Sequence, residues 1–275
     1  MNYSLTWLPD VLEAAGLKVA RCGGWETRGR GDVGTIVGVM CHHTSTPNPK
    51  KKNMPTLNSL IEGVTQNNGK FLPGPLAQLG LGRDGTYYVI AAGRANHAGA
   101  GEWQQQTDGN MNFIGIEAEN AGTRQDFPWP EVQMDAYRRG VAAILQHIKR
   151  PVDFCCGHKE YRRPLGFKDD PTFDMNVFRS GVAAILDGSV GDPVLIPAAE
   201  PTGRPTLRRG MNNPLVQVIQ RKLGVAPPAD DFGPKTESAV RAFQKSQDMV
   251  PDGIVGPKTW AALDRVEDSA PAPVG

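Results

Sequence analysis

The stretch NFIGIEAEN, residues 112–120, alternates apolar and other side chains at a period of two, which makes it a strand with Ile114 and Ile116 on the face opposite Glu117. Upstream, TIVGVMC at residues 35–41 is a short apolar, β-branched run without alternation, the pattern of a strand buried on both faces. Between them LAQLGLGRDGTYYVIAAG, residues 76–93, fits two strands around an Asp84-Gly85 turn, a strong hairpin signal.

Helical spacing fills the gaps. Residues 5–16 form an amphipathic segment ended by Gly16, after which GGWETRGRGDVG reads as a loop. Residues 55–68 place Leu57, Leu60, Ile61 and Val64 on one face, and residues 130–148 do the same with Val132, Ala136, Val141, Ile144 and Leu145. Strands interleaved with helices predict an α/β domain: a mixed central β-sheet flanked by helices.

The composition changes after Leu186. DGSVGDPVLIPAAEPTGRP is rich in Pro, Gly and Ala without helical period and reads as a linker. From Thr206 to Val266 the pattern is helical and holds a near-repeat, FGPKTESAV at 232–240 against VGPKTWAAL at 255–263. Each copy is a Gly-Pro turn feeding a helix, with Thr236 or Thr259 expected as N-cap. The expected domains are therefore 1–187, a linker over 188–205, a small all-α three-helix domain over 206–265, and a disordered tail over 266–275.

At 275 residues the chain has room for two domains and, with 39% hydrophobic residues, for a sizeable core. Its 30 basic and 29 acidic residues leave a net charge of +1, which gives no electrostatic footprint for nucleic acid or an anionic membrane. Cys22, Cys41, Cys155 and Cys156 show no disulfide framework and are expected as packed, reduced thiols from a reducing compartment. MNYSLTWLPDVLEAAGL lacks the basic and uninterrupted apolar regions of a secretory signal, so synthesis in the cytoplasm without a signal peptide is expected. No run of about 18 apolar residues suggests a membrane span.

Chemistry concentrates in GHKEYRRPLGFKDDPTFD, residues 157–174, and in the His42-His43 doublet. Catalytic zinc usually takes three protein ligands from His, Asp, Glu or Cys and keeps a fourth position for water. The candidates are His42 or His43, His158, and Asp169 or Asp170. Successive strand side chains point to opposite faces, so one histidine of the doublet faces a given metal, and geometry alone leaves the choice even. No local ligand motif such as HExxH is present. A lone strand histidine is more often a hydrogen-bonded core residue than a ligand, Glu117 and Glu119 share one side of their strand, and a loop lysine such as Lys168 is ordinarily solvated.

Together, CHHTSTP, IGIEAEN and GHKEY…FKDDPTFD resemble, in residues, order and separation, the signature segments of the N-acetylmuramoyl-L-alanine amidase family, which includes AmpD-like enzymes, phage amidase lysins and peptidoglycan recognition proteins. The resemblance covers roughly residues 35–178. It implies that His42, His158 and Asp170 hold one Zn2+ ion, that Glu117 and Lys168 are the catalytic pair, and that His97, in NHAG, lines the substrate groove. The Asp-Pro pair resembles the AmpD-like branch, and Ala77 stands where phage lysin relatives carry a tyrosine before the Arg-Asp-Gly turn. Zinc-activated water, Glu117 as proton acceptor and Lys168 at the oxyanion would form a coherent amide hydrolase.

Residues from about Thr206 to Asp264 are similar to the three-helix peptidoglycan-binding domain of cell-wall hydrolases. The two resemblances imply a peptidoglycan amidase acting on the cell wall, expected as a monomeric phage endolysin with no nucleic-acid partner and no membrane insertion. The alternatives are a non-catalytic peptidoglycan recognition module and a muropeptide-recycling amidase.

Overall fold

The computed structural model describes residues 2–49, 51–66, 68–191, 204–247, 249 and 251–266. The chain divides into two compact units, Met1–Leu195 and Ile196–Gly275. Most of the expected linker (192–203) and nearly all of the expected tail (267–275) lie outside the described residues.

In the first unit the elements run α1 (Leu8–Ala14), β1 (Lys18–Arg21), β2 (Gly38–His43), α2 (Leu57–Glu62), β3 (Gly63–Thr65), β4 (Phe71–Pro73), β5 (Leu79–Leu81), β6 (Thr86–Val89), α3 (Gly109–Asn112), β7 (Phe113–Ala118), α4 (Glu131–His147), β8 (Cys155–Gly157), α5 (His158–Tyr161) and α6 (Met175–Leu186). Six strands make one mixed sheet in the order β1-β6-β5-β7-β2-β8. Only β5 and β6, joined at the Asp84-Gly85 turn, are antiparallel; β1–β6, β5–β7, β7–β2 and β2–β8 are parallel.

All six residues of β2 are buried, the apolar part at 39–41 that the sequence run predicts and His42 and His43 beyond it. Along β7, Ile114 and Ile116 enter the main core with Val39, Leu79, Tyr137 and Ile144, whereas Glu117 keeps a partly exposed side chain. Helices α4 and α6 cover that core through Val141, Leu145, Phe178 and Val182. Trp25 and Trp129 are also core residues, while Trp103 is half-buried and donates its indole N–H to the Asp153 carbonyl. The four cysteines are buried and none is in a disulfide.

One expected helix is shorter than its apolar spacing suggests. The helical pattern over 55–68 stops at Glu62, because Gly63 adopts φ 115° and a Cβ there would stand 2.3 Å from the Leu72 carbonyl oxygen. Residues 63–65 instead pair with 71–73 as a two-stranded antiparallel ribbon.

The second unit contains α7 (Leu215–Lys222), α8 (Pro234–Ser246) and α9 (Pro257–Leu263) around Leu207, Ile219, Phe232, Val240, Val255 and Trp260. Thr236 and Thr259 are not the caps expected of them. Gly233 and Gly256 are the N-caps, with proline at the next position. Both threonines are buried one turn in, where their hydroxyls lie 2.8 Å from Gln220 Nε2 and 3.3 Å from Gln244 Nε2 respectively. Each glutamine also accepts a loop amide through Oε1, from Ala229 and Gly253. The sequence repeat is thus a repeat of buried glutamine staples.

Candidate active site

Parallel strands bring the chemistry together at their carboxyl ends, where α/β sheets commonly bind ligands. Registration of β2 on β7 sets His42 beside Glu117, and β8 on the other flank of β2 delivers His158 at the first residue of α5. The loop after α5 returns Asp170 to the same point, fastened by the Lys159 amide donating to the Asp170 carbonyl at 2.7 Å.

His42 Nδ1 lies 3.1 Å from His158 Nδ1 and 3.0 Å from Asp170 Oδ2, and His158 Nδ1 lies 3.1 Å from the same oxygen. All three residues are buried. Burial lowers His42 to about 4, so at neutral pH its imidazole is uncharged. Two imidazole nitrogens and a carboxylate oxygen converging in a buried site are a donor set suited to a divalent cation, and their N/N/O composition fits zinc.

The β2 backbone is held from below. The buried Tyr137 hydroxyl accepts from the His42 N–H at 2.9 Å and lies within donating distance of the Ile116 and His42 carbonyls, at 2.9 and 3.0 Å. Tyr137 sits on the apolar face read from the sequence of α4, where a polar tip among core positions was the available signal for it.

His43, the other member of the doublet, turns away from the cluster. Its ring meets Trp129 edge-on at 6.1 Å, its Nδ1 has no hydrogen-bond partner, and a Cβ at Gly122 would stand 2.2 Å from its Nε2. Asp169 is exposed. Asp174 caps α6, accepting from the amides of Asn176 and Val177.

Glu117 Oε1 is 4.0 Å from His42 Nδ1, and Oε2 is buried without a hydrogen-bond partner. Burial, with the nearby Asp170 charge adding to it against Lys168, raises the Glu117 carboxyl well above its ordinary range. A carboxylate of raised proton affinity facing a cavity is suited to accepting a proton. Glu119, two residues on, is buried and bonded to Thr56. Lys168 is exposed and has no hydrogen-bond or ion-pair partner among the described residues.

A cavity of about 570 Å³ opens over these groups, bordered by Glu117, His158, Lys168 and Asp170 and also by Pro47, Lys52, Thr56, Leu60, Leu72 and Asn96. His97 also borders it, yet both ring nitrogens are engaged inside the protein: Nδ1 lies 3.2 Å from His42 Nε2, and Nε2 lies 3.2 Å from the Phe113 carbonyl oxygen.

Among the described residues, no helix is long and apolar enough to cross a membrane. The family model described as N-acetylmuramoyl-L-alanine amidase matches residues 32–173, and a peptidoglycan binding domain model matches residues 212–263. An uncharacterized protein encoded in the bpoA1 3′ region of Kitasatospora aureofaciens is 39% identical over 79 residues, which cover 26% of this chain and 67% of that protein. Among solved structures, a peptidoglycan-binding protein from Clostridioides difficile in complex with glutamine hydroxamate is 35% identical over 22% of this chain and 41% of its own, with a TM-score of 0.21. A selenomethionine AmpD derivative is 20% identical over 66% of this chain and 99% of its own (TM-score 0.43). The N-acetylmuramoyl-L-alanine amidase LysC from Clostridium intestinale is 16% identical over 60% and 97% (TM-score 0.42).

Proposed function

The chain belongs to the N-acetylmuramoyl-L-alanine amidase family, and on that premise we propose that it hydrolyses, with one zinc ion, the amide bond between the lactyl group of N-acetylmuramic acid and the L-alanine of the stem peptide. The observation that carries this reading is the convergence of His42 Nδ1, His158 Nδ1 and Asp170 Oδ2 within 3.1 Å of one another beside a cavity. These three residues would hold the ion, which when bound supplies Lewis acidity and lowers the pKa of water toward neutrality.

Glu117 takes the proton of the attacking water at its carboxylate and passes it to the leaving nitrogen of L-alanine. Burial raises its proton affinity above that of an ordinary carboxylate, which favours accepting the proton from water before it is handed on. Lys168 reaches the cavity as an ammonium donor and stabilises the negative charge that develops on the carbonyl oxygen as water adds. Pro47, Asn48, Lys52, Thr56, Leu60 and Leu72, which also line the cavity, supply mixed apolar and polar contacts for the stem peptide.

Residues 1–187 are the proposed catalytic domain and 206–265 the proposed wall-binding domain, joined by a linker over 188–205. Tethering an enzyme to an insoluble polymer raises its effective concentration there, which supports polymeric murein over small recycled muropeptides as substrate. A monomeric phage endolysin that degrades the host cell wall fits this pairing of domains.

The test is product analysis on purified murein. Wild type is expected to release free stem peptides whose N-terminus is L-alanine, to lose activity on chelation and to regain it with zinc. Release of reducing sugar ends, or activity indifferent to chelation and to Asp170→Ala, would overturn the reading.

A further inference from the structure

Two neutral histidines can offer Nδ1 lone pairs to one cation only if both carry their proton on Nε2, and the structure holds groups that favour that choice. A backbone carbonyl accepts and never donates. His158 Nε2 lies 2.9 Å from the Ala98 carbonyl oxygen, so it carries the proton and leaves Nδ1 with a lone pair. For His42 the same constraint arrives through an intermediary. His97 Nε2 faces the Phe113 carbonyl oxygen and must donate to it, so the neutral His97 ring has an accepting Nδ1. That nitrogen faces His42 Nε2 at 3.2 Å, which makes His42 the donor and bares its Nδ1.

Both outer partners, the His97 ring and the Ala98 carbonyl, belong to consecutive residues, and one side chain holds that dipeptide. Asn110 Oδ1 accepts from the amide of His97 and the amide of Ala98, each at 2.9 Å. Two glycines make room. A Cβ at Gly115 would stand 2.7 Å from His97 Cγ, and one at Gly109 would stand 2.4 Å from Ala98 Cβ. The bracket therefore reaches β7 through Gly115 and the Phe113 carbonyl, and α3 through Asn110.

We propose that Asn110, His97 and Ala98 form a bracket that sets the Nε2–H tautomer of both His42 and His158, making His97 and Asn110 positioning residues for the ligand pair rather than contacts to substrate. The metal part of this inference, including the bare Nδ1 atoms, rests on the zinc reading above; the outer hydrogen bonds that place a proton on each Nε2 do not. Outer partners of this kind commonly change metal affinity 10–100-fold when removed.

The experiment measures imidazole ¹⁵N shifts in metal-free protein and zinc dissociation by chelator competition, in wild type and in His97→Ala, His97→Gln, Asn110→Ala and Asn110→Asp variants. Glutamine at 97 keeps an acceptor for His42 and a donor for the Phe113 carbonyl, and aspartate at 110 keeps the acceptor for both amides. Wild type is expected to show Nε2–H at both ligand histidines. His97→Ala should give a mixed His42 tautomer, Asn110→Ala should loosen both rings, and each should weaken zinc about 10–100-fold, with His97→Gln and Asn110→Asp recovering most of the loss. An unchanged His42 tautomer and zinc affinity in His97→Ala, with KM for substrate raised, would overturn the bracket and return His97 to substrate contact. Wild-type protein with both tautomers as assigned but without zinc affinity would support the bracket and overturn the metal reading alone.

Discussion

The Glu119 carboxylate accepts from both the amide and the hydroxyl of Thr56, at 3.3 and 2.5 Å, which fastens the end of β7 to the start of α2 across 63 residues of chain. Asn48 Nδ2 adds a longer contact to the other oxygen at 3.4 Å. Asn48, Pro49, Lys52, Pro55 and Thr56 border the cavity, so this buried carboxylate shapes part of its wall without touching His42, His158 or Asp170.

Removing that fastening should loosen the wall before it harms the chemistry. Glu119→Ala leaves the Thr56 donors without a partner, a loss of about 1–3 kcal/mol. Steady-state kinetics on a soluble muropeptide are expected to show KM raised several-fold with kcat within about threefold, and calorimetry a lowered melting temperature. A loss confined to kcat would contradict the assignment.

The same residue gives a signed pH dependence. Burial raises the Glu119 carboxyl, with the Thr56 hydrogen bonds opposing, so the folded state holds its proton more tightly than the unfolded chain does. The stabilising preference for the protonated form is complete below the unfolded value of about 4.3 and is lost as pH rises through the raised folded value. The melting temperature of wild type minus that of Glu119→Gln should therefore fall as pH is raised from 4 to 7. A flat difference would mean that the carboxyl is not shifted in the folded state.

Glu117 should separate stability from activity. Its Oε2 is buried without a partner and its ionisation is opposed by burial, so Glu117→Gln removes a carboxyl whose charged form is disfavoured together with the proposed base. Turnover is expected to fall about 10²–10⁴-fold, while the melting temperature is unchanged or higher and zinc affinity stays within a fewfold of wild type. Loss of zinc binding in this variant would make Glu117 a ligand instead of a base.

In the second unit, Gln244 joins Gly253, Ile254 and Thr259, and Gln244→Ala should cost about 1–3 kcal/mol and unfold that unit at lower temperature. Co-sedimentation of the whole protein with murein should drop, and hydrolysis of sacculi should drop with it, while hydrolysis of a soluble muropeptide stays at the wild-type rate. Equal losses on both substrates would argue against a wall-anchoring role.

Much of this arrangement can be read from residues alone, for physical reasons that differ by element. The alternation in NFIGIEAEN and the apolar run in TIVGVMC are local signals, and both are strands of the sheet. The Asp84-Gly85 hairpin is local too. By contrast β8, three residues long, and the β3–β4 ribbon exist because neighbours hold them, and no period of two can develop in three residues. His42, His158 and Asp170 stood out as residue types able to bind metal, but spacing left His43 and Asp169 open; strand direction and loop closure decide what actually converges. Asn110 and the carbonyls of Ala98 and Phe113 act through backbone groups or single atoms, which leave no pattern in a sequence.

The three converging ligand atoms come from positions 42, 158 and 170, at the two ends of the first unit. During synthesis the chain grows from its N-terminus, so His42 is made early and waits for more than a hundred residues before its companions exist. A chain that stops before His158 holds one of the three donors, and one that stops after it but before Asp170 holds two. The three-donor cluster is therefore complete only once the loop before α6 has been made, and products of translation that stop short of Asp170 lack at least one of its donors.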